Sequence, residues 1–307
     1  MIIIKYRGGL GNQMFQYAFE LAVKKQYPNA EVCADISHYR MQNEHNGFEL
    51  ENVFGISTCH VEDIMLKKIS PYYVPSNIYN NLPKKLRDVI ARNLQYKYYN
   101  FQKKQRKKTY YKQEYHNSYE QEVFELDTSQ DWYLDGLWQD IRYFSGCEDE
   151  VREVFRFKNE ERFSEVDLQH LEKISQPNSV GIHVRRGDFV NSKFDICSME
   201  YYQKALDIIF EQVGNPTFFF FTDDTEYVEK EFNWLTCKTI INHTVGNSIL
   251  DMEMLSGCTH KIISNSTFAF WSAWLGEQNG LTIAPRYSIV KVDRSFILNV
   301  PENWMQI

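Results

Sequence analysis

Four consecutive phenylalanines, Phe218 to Phe221, stand inside the run TFFFFTDD at residues 217–224. Side chains alternate across a strand, so this run puts aromatic rings on both faces. A half-solvated sheet accepts apolar side chains on one face only, whereas a parallel sheet is covered by helices on both. The run is far shorter than the ~20 apolar residues of a membrane span. It therefore calls for a buried strand of a parallel α/β sheet.

The flanking sequence repeats the theme. SVGIHVRR, KTIIN, HKIISN and LTIAP read as further strands. FSEVDLQHLEKIS, SMEYYQKALDIIFEQV, TEYVEKEFNWL, SILDMEMLSGC and STFAFWSAWLGEQ read as helices between or beside them. Five strands alternating with helices predict a doubly wound domain over residues 151–307, with ligand loops at the strand carboxyl ends. The N-terminus holds a second β-α-β unit: MIIIKYRGG, then NQMFQYAFELAVKKQYP stopped by Pro28, then AEVCADIS. It opens a domain over residues 1–150. Its middle, about residues 60–130, is polar, basic and tyrosine-rich, and helices with loops are expected there. The chain shows no internal repeat.

The 307 residues carry a net charge of −7. Residues 84–108 hold ten Lys and Arg against one Asp, a local +9, which leaves about −16 for the rest. That run reads either as a solvated face or as a surface for anionic lipid or a lipid-linked glycan carrier. Nucleic acid is disfavoured, because the patch is one segment of an acidic chain without a binding motif. Six cysteines, Cys33, Cys59, Cys147, Cys197, Cys237 and Cys258, stand singly with no C-x-x-C. Dispersed thiols fit a reducing cytosol, and no signal-peptide pattern precedes them, so a cytoplasmic location is expected, with peripheral contact to the inner membrane face through the basic run.

Three motifs fall at strand ends. In YRGGLGNQMF, Gly9 and Gly11 match the first half of a dinucleotide fingerprint, but Met14 takes the place of the third glycine. A nicotinamide site is thereby disfavoured. The glycines still permit positive φ and close backbone approach. Asn12 and Gln13 then offer amides to sugar hydroxyls or phosphate at a helix start, unless Asn12 is simply the N-cap. In GIHVRRGDF, alternation puts His183 and Arg185 on one face and Val184 and Arg186 on the other. Asp188 is assigned to Arg186, leaving Arg185 to grip an external anion with its guanidinium fork. In TDD, Asp223 and Asp224 point apart. One suits helix capping and the other a ribose or base edge, and no D-x-D or His/Cys cluster indicates a metal. Asn265, Ser266 and Thr267 stand where a strand turns into a helix, a place for an anion. Asp251 opens a helix, as a cap or as an acceptor for a guanine edge.

GGLGNQMFQYA, HVRRGD and SNSTF with WSAWL, in this order along nearly the whole chain, resemble the bacterial α1,2-fucosyltransferases of glycosyltransferase family 11. The resemblance implies a GT-B fold, two Rossmann-like domains facing a central cleft. It implies GDP-fucose as co-substrate, inversion, no metal and no other cofactor. The acceptor it implies is a hydroxyl of an oligosaccharide, O2 of a terminal galactose. The wider group sharing the H-x-R strand implies a β-phosphate contact for Arg185, with His183 near the nucleoside and Asp223, Asp224 and Asp251 near ribose and guanine. Ala269 and Phe270 depart from the family's usual S-W at that point. Asn12 is expected near the reacting centre. The rival readings are a non-catalytic sugar-nucleotide or glycan-binding protein, a fucosyltransferase of another linkage, and the disfavoured nicotinamide oxidoreductase.

Overall fold

The computed structural model describes residues 1–41, 46–69, 109–115, 117–158, 162–243, 247–290 and 295–307, with scattered positions between 82 and 93. The basic run at 84–108 lies almost wholly outside the described residues. Contacts divide the chain into two compact units, Met1–Val154 and Phe155–Ile307. Both are α/β, and each is built on a parallel sheet. No described helix is long and apolar enough to cross a membrane.

The first unit runs β1 (Ile2–Lys5), α1 (Leu10–Gln26), β2 (Val32–Asp35), α2 (Leu50–Phe54), β3 (Tyr110–Lys112) and β4 (Trp132–Asp135). Its four strands lie in the order β2-β1-β4-β3, all parallel. β3 falls inside the stretch expected to lack strands. It is only three residues, two tyrosines and a lysine, too short and polar to signal itself. The strand order reverses between β1 and β4, so a crevice opens at their carboxyl ends.

The expectation of dispersed thiols is corrected here. Residues 59–61 run beside β2: Ala34 N donates to the Cys59 carbonyl at 2.6 Å, and Val61 N to the Ala34 carbonyl at 3.0 Å. That pairing brings the Cys33 and Cys59 Cα atoms to 4.6 Å, and the two are joined as a disulfide. The other four cysteines are free. Glu31 completes the one group of potential metal donors found among the described residues, but two of its three donors are spent in that bond.

The second unit carries β5 (Ser179–Val184), β6 (Thr217–Thr222), β7 (Lys238–Ile241), β8 (His260–Ile262), β9 (Thr282–Ala284) and β12 (Met305–Gln306), with a hairpin β10 (Tyr287–Val290) and β11 (Ser295–Ile297) between the last two. Its helices are α3 (Glu165–Ile174), α4 (Met199–Gln212), α5 (Thr225–Glu231), α6 (Ser248–Gly257) and α7 (Thr267–Leu275). The sheet order β7-β6-β5-β8-β9-β12 is the 3-2-1-4-5-6 order of dinucleotide-binding folds. Five strands were expected. The sixth is a two-residue segment with no periodicity to read.

The phenylalanine run behaves as its chemistry dictates. Phe218 and Phe220 join the core under α4, with Val180, Ile182, Tyr202 and Leu206. Phe219 and Phe221 join the opposite core, with Met254 and Leu255 of α6 and Ile174 of α3. Each ring is at most 2% exposed, a burial worth about 1.5–3 kcal/mol. Gly181 lets α6 come close, since a side chain there would meet Leu255 and Cys258.

Candidate functional site

In the second unit the strand order reverses between β5 and β8. The HVRRGD and SNST segments leave the sheet at those two strand ends. His183, the penultimate residue of β5, is 6% exposed, and its Nδ1 lies 2.9 Å from Ser264 Oγ. Burial, reinforced by the Arg185 charge, pulls its pKa down to about 3, so the ring is neutral near pH 7.

β5 stops at Val184, so strand alternation does not govern the two arginines, and the expected partners are exchanged. Asp188 pairs with Arg185, not Arg186: Arg185 Nε and Nη2 donate to Asp188 Oδ1 at 3.1 and 2.7 Å. Arg185 Nη1 also meets Asp223 Oδ2 at 2.9 Å. The 3₁₀ turn Gly187–Phe189 brings Asp188 back under the guanidinium of Arg185. Arg186 turns the other way, over the Tyr227 ring of α5 at 4.2 Å, with Asp195 at 3.6 Å. Its backbone N donates to Asp223 Oδ1 at 2.8 Å. Asp223 thus clamps both arginines, and Gly187 makes room for it: a side chain there would come within 2.5 Å of Asp223 Oδ2.

The acids separate by role. Asp224 is the N-cap of α5, accepting from Tyr227 N at 3.0 Å. Asp251 is not a cap, since Asn247 holds that position. It lies within the first turn of α6 and is bound to His243, Nδ1 to Oδ1 at 2.6 Å. His243 Nε2 lies 3.2 Å from Asp167 Oδ1 on α3. Sequence reasoning missed His243 and Asp167, and an isolated His–Asp spacing carries no signal that could have found them. Asn265 faces inward, contrary to expectation. Its Nδ2 donates to the Phe194 and Ser288 carbonyls at 3.1 and 2.8 Å, tying two loops together. Ser266 caps α7 through Phe268 N at 3.3 Å, and Thr267 begins that helix.

In the first unit the glycine turn differs in detail from its reading. The left-handed residue is Gly8, φ +82°, whereas Gly9 is extended and serves as the N-cap of α1. Gly11 is buried inside the helix. Asn12 is therefore not the cap. Gln13 is fully buried, so its amide is unavailable to a ligand. Its Nε2 donates to the Gly8 and Gly47 carbonyls at 3.1 and 2.8 Å, and its Oε1 accepts from Glu49 N at 2.8 Å. Gln16 clamps Arg7 through both backbone atoms at 3.0 Å. Of residues 10–20, Asn12 alone is not buried. At the carboxyl end of β4, Asp135 is buried with Lys5 Nζ at 3.2 Å and Arg7 Nη2 at 3.7 Å. Burial pushes that carboxyl upward, but the two cations and Tyr110 outweigh it and hold the group well below the usual range.

The model of the family described as "Glycosyl transferase family 11" matches residues 1–304. An α-1,2-colitosyltransferase of Escherichia coli is 29% identical over 100% of this chain and 99% of its own. The Escherichia coli O-antigen biosynthesis glycosyltransferase WbnK is 27% identical over 91% of this chain and 92% of its own. Mouse galactoside α-(1,2)-fucosyltransferase 2 is 28% identical over 43% of this chain and 42% of its own. Among solved structures, the Bradyrhizobium fucosyltransferase NodZ aligns over 90% of this chain and 92% of its own, at 15% identity and a TM-score of 0.49.

Proposed function

We propose that this chain, which belongs to glycosyl transferase family 11, moves fucose from GDP-fucose to O2 of a terminal galactose with inversion. Glycosyl transfer is the activity its named relatives share, and the colitosyltransferase and the mouse α-(1,2)-fucosyltransferase carry a fucose-like sugar in their names. The donor, the acceptor hydroxyl and the stereochemistry are the further steps.

One observation carries the reading most directly. His183, Arg185 and the Ser264–Thr267 turn come to the same sheet crevice, the place where doubly wound domains hold nucleotides. Transfer expels a nucleoside diphosphate whose negative charge grows as the glycosidic bond breaks. Fixed donors aimed at that charge are the largest catalytic term available. Arg185 supplies a guanidinium with a two-pronged fork, and the N-terminus of α7 supplies backbone N–H groups. Asp188 and Asp223 pair with that fork, and the diphosphate takes their place. Neutral His183 orients through hydrogen bonds rather than charge. Asn12, half-buried at the start of α1, serves the sugar and acceptor side.

The deciding experiment incubates the purified protein with GDP-fucose and a panel of galactose-terminated oligosaccharides, with and without EDTA, and assigns the product linkage by NMR. Fucose on O2 of galactose, GDP released in equal amount and no loss in EDTA are expected. Binding of GDP-fucose without GDP release would instead make the protein a sugar-nucleotide receptor. A colitose donor joins the panel, because the colitosyltransferase matches the chain from end to end. Preference for that donor would correct the sugar while leaving the reaction class intact.

A further inference from the structure

Asn265 spends its amide inside the protein, and what it holds leads back to Arg185. Its Nδ2 donates to the Phe194 carbonyl at 3.1 Å, and its Oδ1 lies 3.6 Å from Cys197 Sγ. The Phe194 ring stacks on Phe189, with centroids 5.3 Å apart and planes 27° apart. The Arg185 guanidinium in turn lies over the Phe189 ring, with Cζ 5.7 Å from its centroid. The SNST and HVRRGD segments are thus joined through two aromatic rings that belong to neither.

The chain between the rings is shaped to make this stack. Phe189 ends the 3₁₀ turn, its N donating to the Arg186 carbonyl at 2.8 Å. Asn191 then takes a left-handed backbone, φ +59°, which Asn tolerates better than most residues. Its N donates to Asp195 Oδ2 at 3.1 Å. Ser192 closes the reversal: its Oγ donates to the Phe189 carbonyl at 2.7 Å and accepts from Phe194 N at 3.1 Å. Both rings stay partly exposed, so they return only part of the hydrophobic gain of a core position. An aromatic face beside a guanidinium has a second use, because the ring quadrupole attracts the cation.

The ring contact differs in kind from the other two that Arg185 makes. Asp188 and Asp223 compete with a diphosphate for the same N–H donors. A ring takes the face of the guanidinium plane and leaves the N–H groups at its edge to an anion. It stays in place while the carboxylates yield. We propose that Phe189 is a positioning residue, which holds the guanidinium plane of Arg185 as the diphosphate replaces the carboxylates, with Phe194 and Asn265 holding Phe189. The inference rests on the reading of Arg185 given above. It also accounts for an inward-facing Asn265 in a motif that borders the crevice.

The test removes the ring and keeps most of its bulk. Phe189→Leu should lower kcat/KM for GDP-fucose about 5- to 30-fold, the span of one cation–π contact between partial and full desolvation. GDP affinity, measured by calorimetry, should fall in the same direction. Phe189→Tyr keeps a π face and should stay within about twofold of wild type. In an Arg185→Ala background no guanidinium remains to orient, so Phe189→Leu should change GDP affinity and residual transfer by less than about twofold. A merely structural role would show the same loss in both backgrounds. Phe194→Leu acts at one remove and should give a smaller loss in the same direction, and it carries the test if Phe189→Leu fails to fold. Wild-type kcat/KM in the folded leucine variants, an equal loss in Phe189→Tyr, or an equal loss with and without Arg185 would overturn the inference alone. Full GDP affinity and transfer by Arg185→Ala would overturn the reading of Arg185 and the inference with it.

Discussion

The Arg185 guanidinium is shared by Asp188 and Asp223. Both acids are partly solvent-exposed, so the pairs contribute little to folding. Their consequence is for binding. Arg185→Lys keeps the charge and loses the fork, so its melting temperature should stay near wild type. Turnover should fall by the ~2.7–4 kcal/mol typical of one lost oxyanion donor. Near-normal turnover in that variant, measured beside an inactive but folded Arg186→Lys, would move the phosphate contact to Arg186. His243 acts differently. Its hydrogen bond to Asp251 comes first, and with the charges of Asp251 and Asp167 it raises the imidazole pKa against the opposing effect of burial. A raised folded pKa means the stabilisation is complete below the ordinary value of about 6.5 and fades as pH rises through the folded one. Asp167 has the opposite sign. Burial pushes it up, but Ser164 and His243 bring it below its usual value, so its contribution disappears in acid. Urea unfolding should therefore show the stability gap between wild type and His243→Gln narrowing from pH 6 to pH 9. A gap constant over that range would refute the clasp.

At the scale of elements, the disulfide joins β2 to the segment after α2, across 26 positions. Phe48, just before α2, packs edge-on against Tyr6 with ring centroids 5.5 Å apart, and Gln13 holds residues 47 and 49. The bridge closes this strap at its far end. Reductant should lower the stability of the first unit by about 2–4 kcal/mol, visible as a drop in melting temperature. Cys59→Ser should melt like the reduced protein and ignore reductant. Thiol titration of the unreduced, unfolded protein should find four free groups. Six groups, with melting indifferent to reductant, would show that the bridge is not formed. Sequence made the strands of the second unit legible because burial on both faces leaves long apolar runs, as at Phe218–Phe221. It left β3 and β12 hidden, since two or three residues have no period to detect. The cysteine pair was hidden because no local spacing announces partners 26 apart. The arginine partners were misassigned because the alternation rule ends with the strand, at Val184. The Phe189–Phe194 stack left no mark of its own, being two rings brought together by a turn that only three-dimensional packing reveals.

At the scale of the whole molecule, the charge is divided, +9 in residues 84–108 against about −16 elsewhere. Near an anionic bilayer each basic group is worth about 1 kcal/mol. Wild-type protein should therefore sediment with phosphatidylglycerol vesicles at low salt. A variant with Lys103, Lys104, Arg106, Lys107 and Lys108 changed to Gln should bind less, while keeping its rate on a soluble galactoside. Equal sedimentation by the two would dispose of the membrane reading. The second unit also closes in an unusual order. Its sheet is completed by Met305 and Gln306 beside Ile283 and Ala284, and Ile307 N donates to the Ala284 carbonyl at 3.1 Å. Trp304 packs on Phe270 and donates to Gln278 Oε1 at 2.9 Å. During synthesis the first unit has its last strand by residue 135, and at 5–20 residues per second it waits about 10–30 s for the second to finish. Until residue 306 emerges, β9 presents an open edge, the kind of surface that seeds aggregation. A chain without Met305 and Gln306 would carry that edge permanently, open to any protease or chaperone that samples unpaired strands.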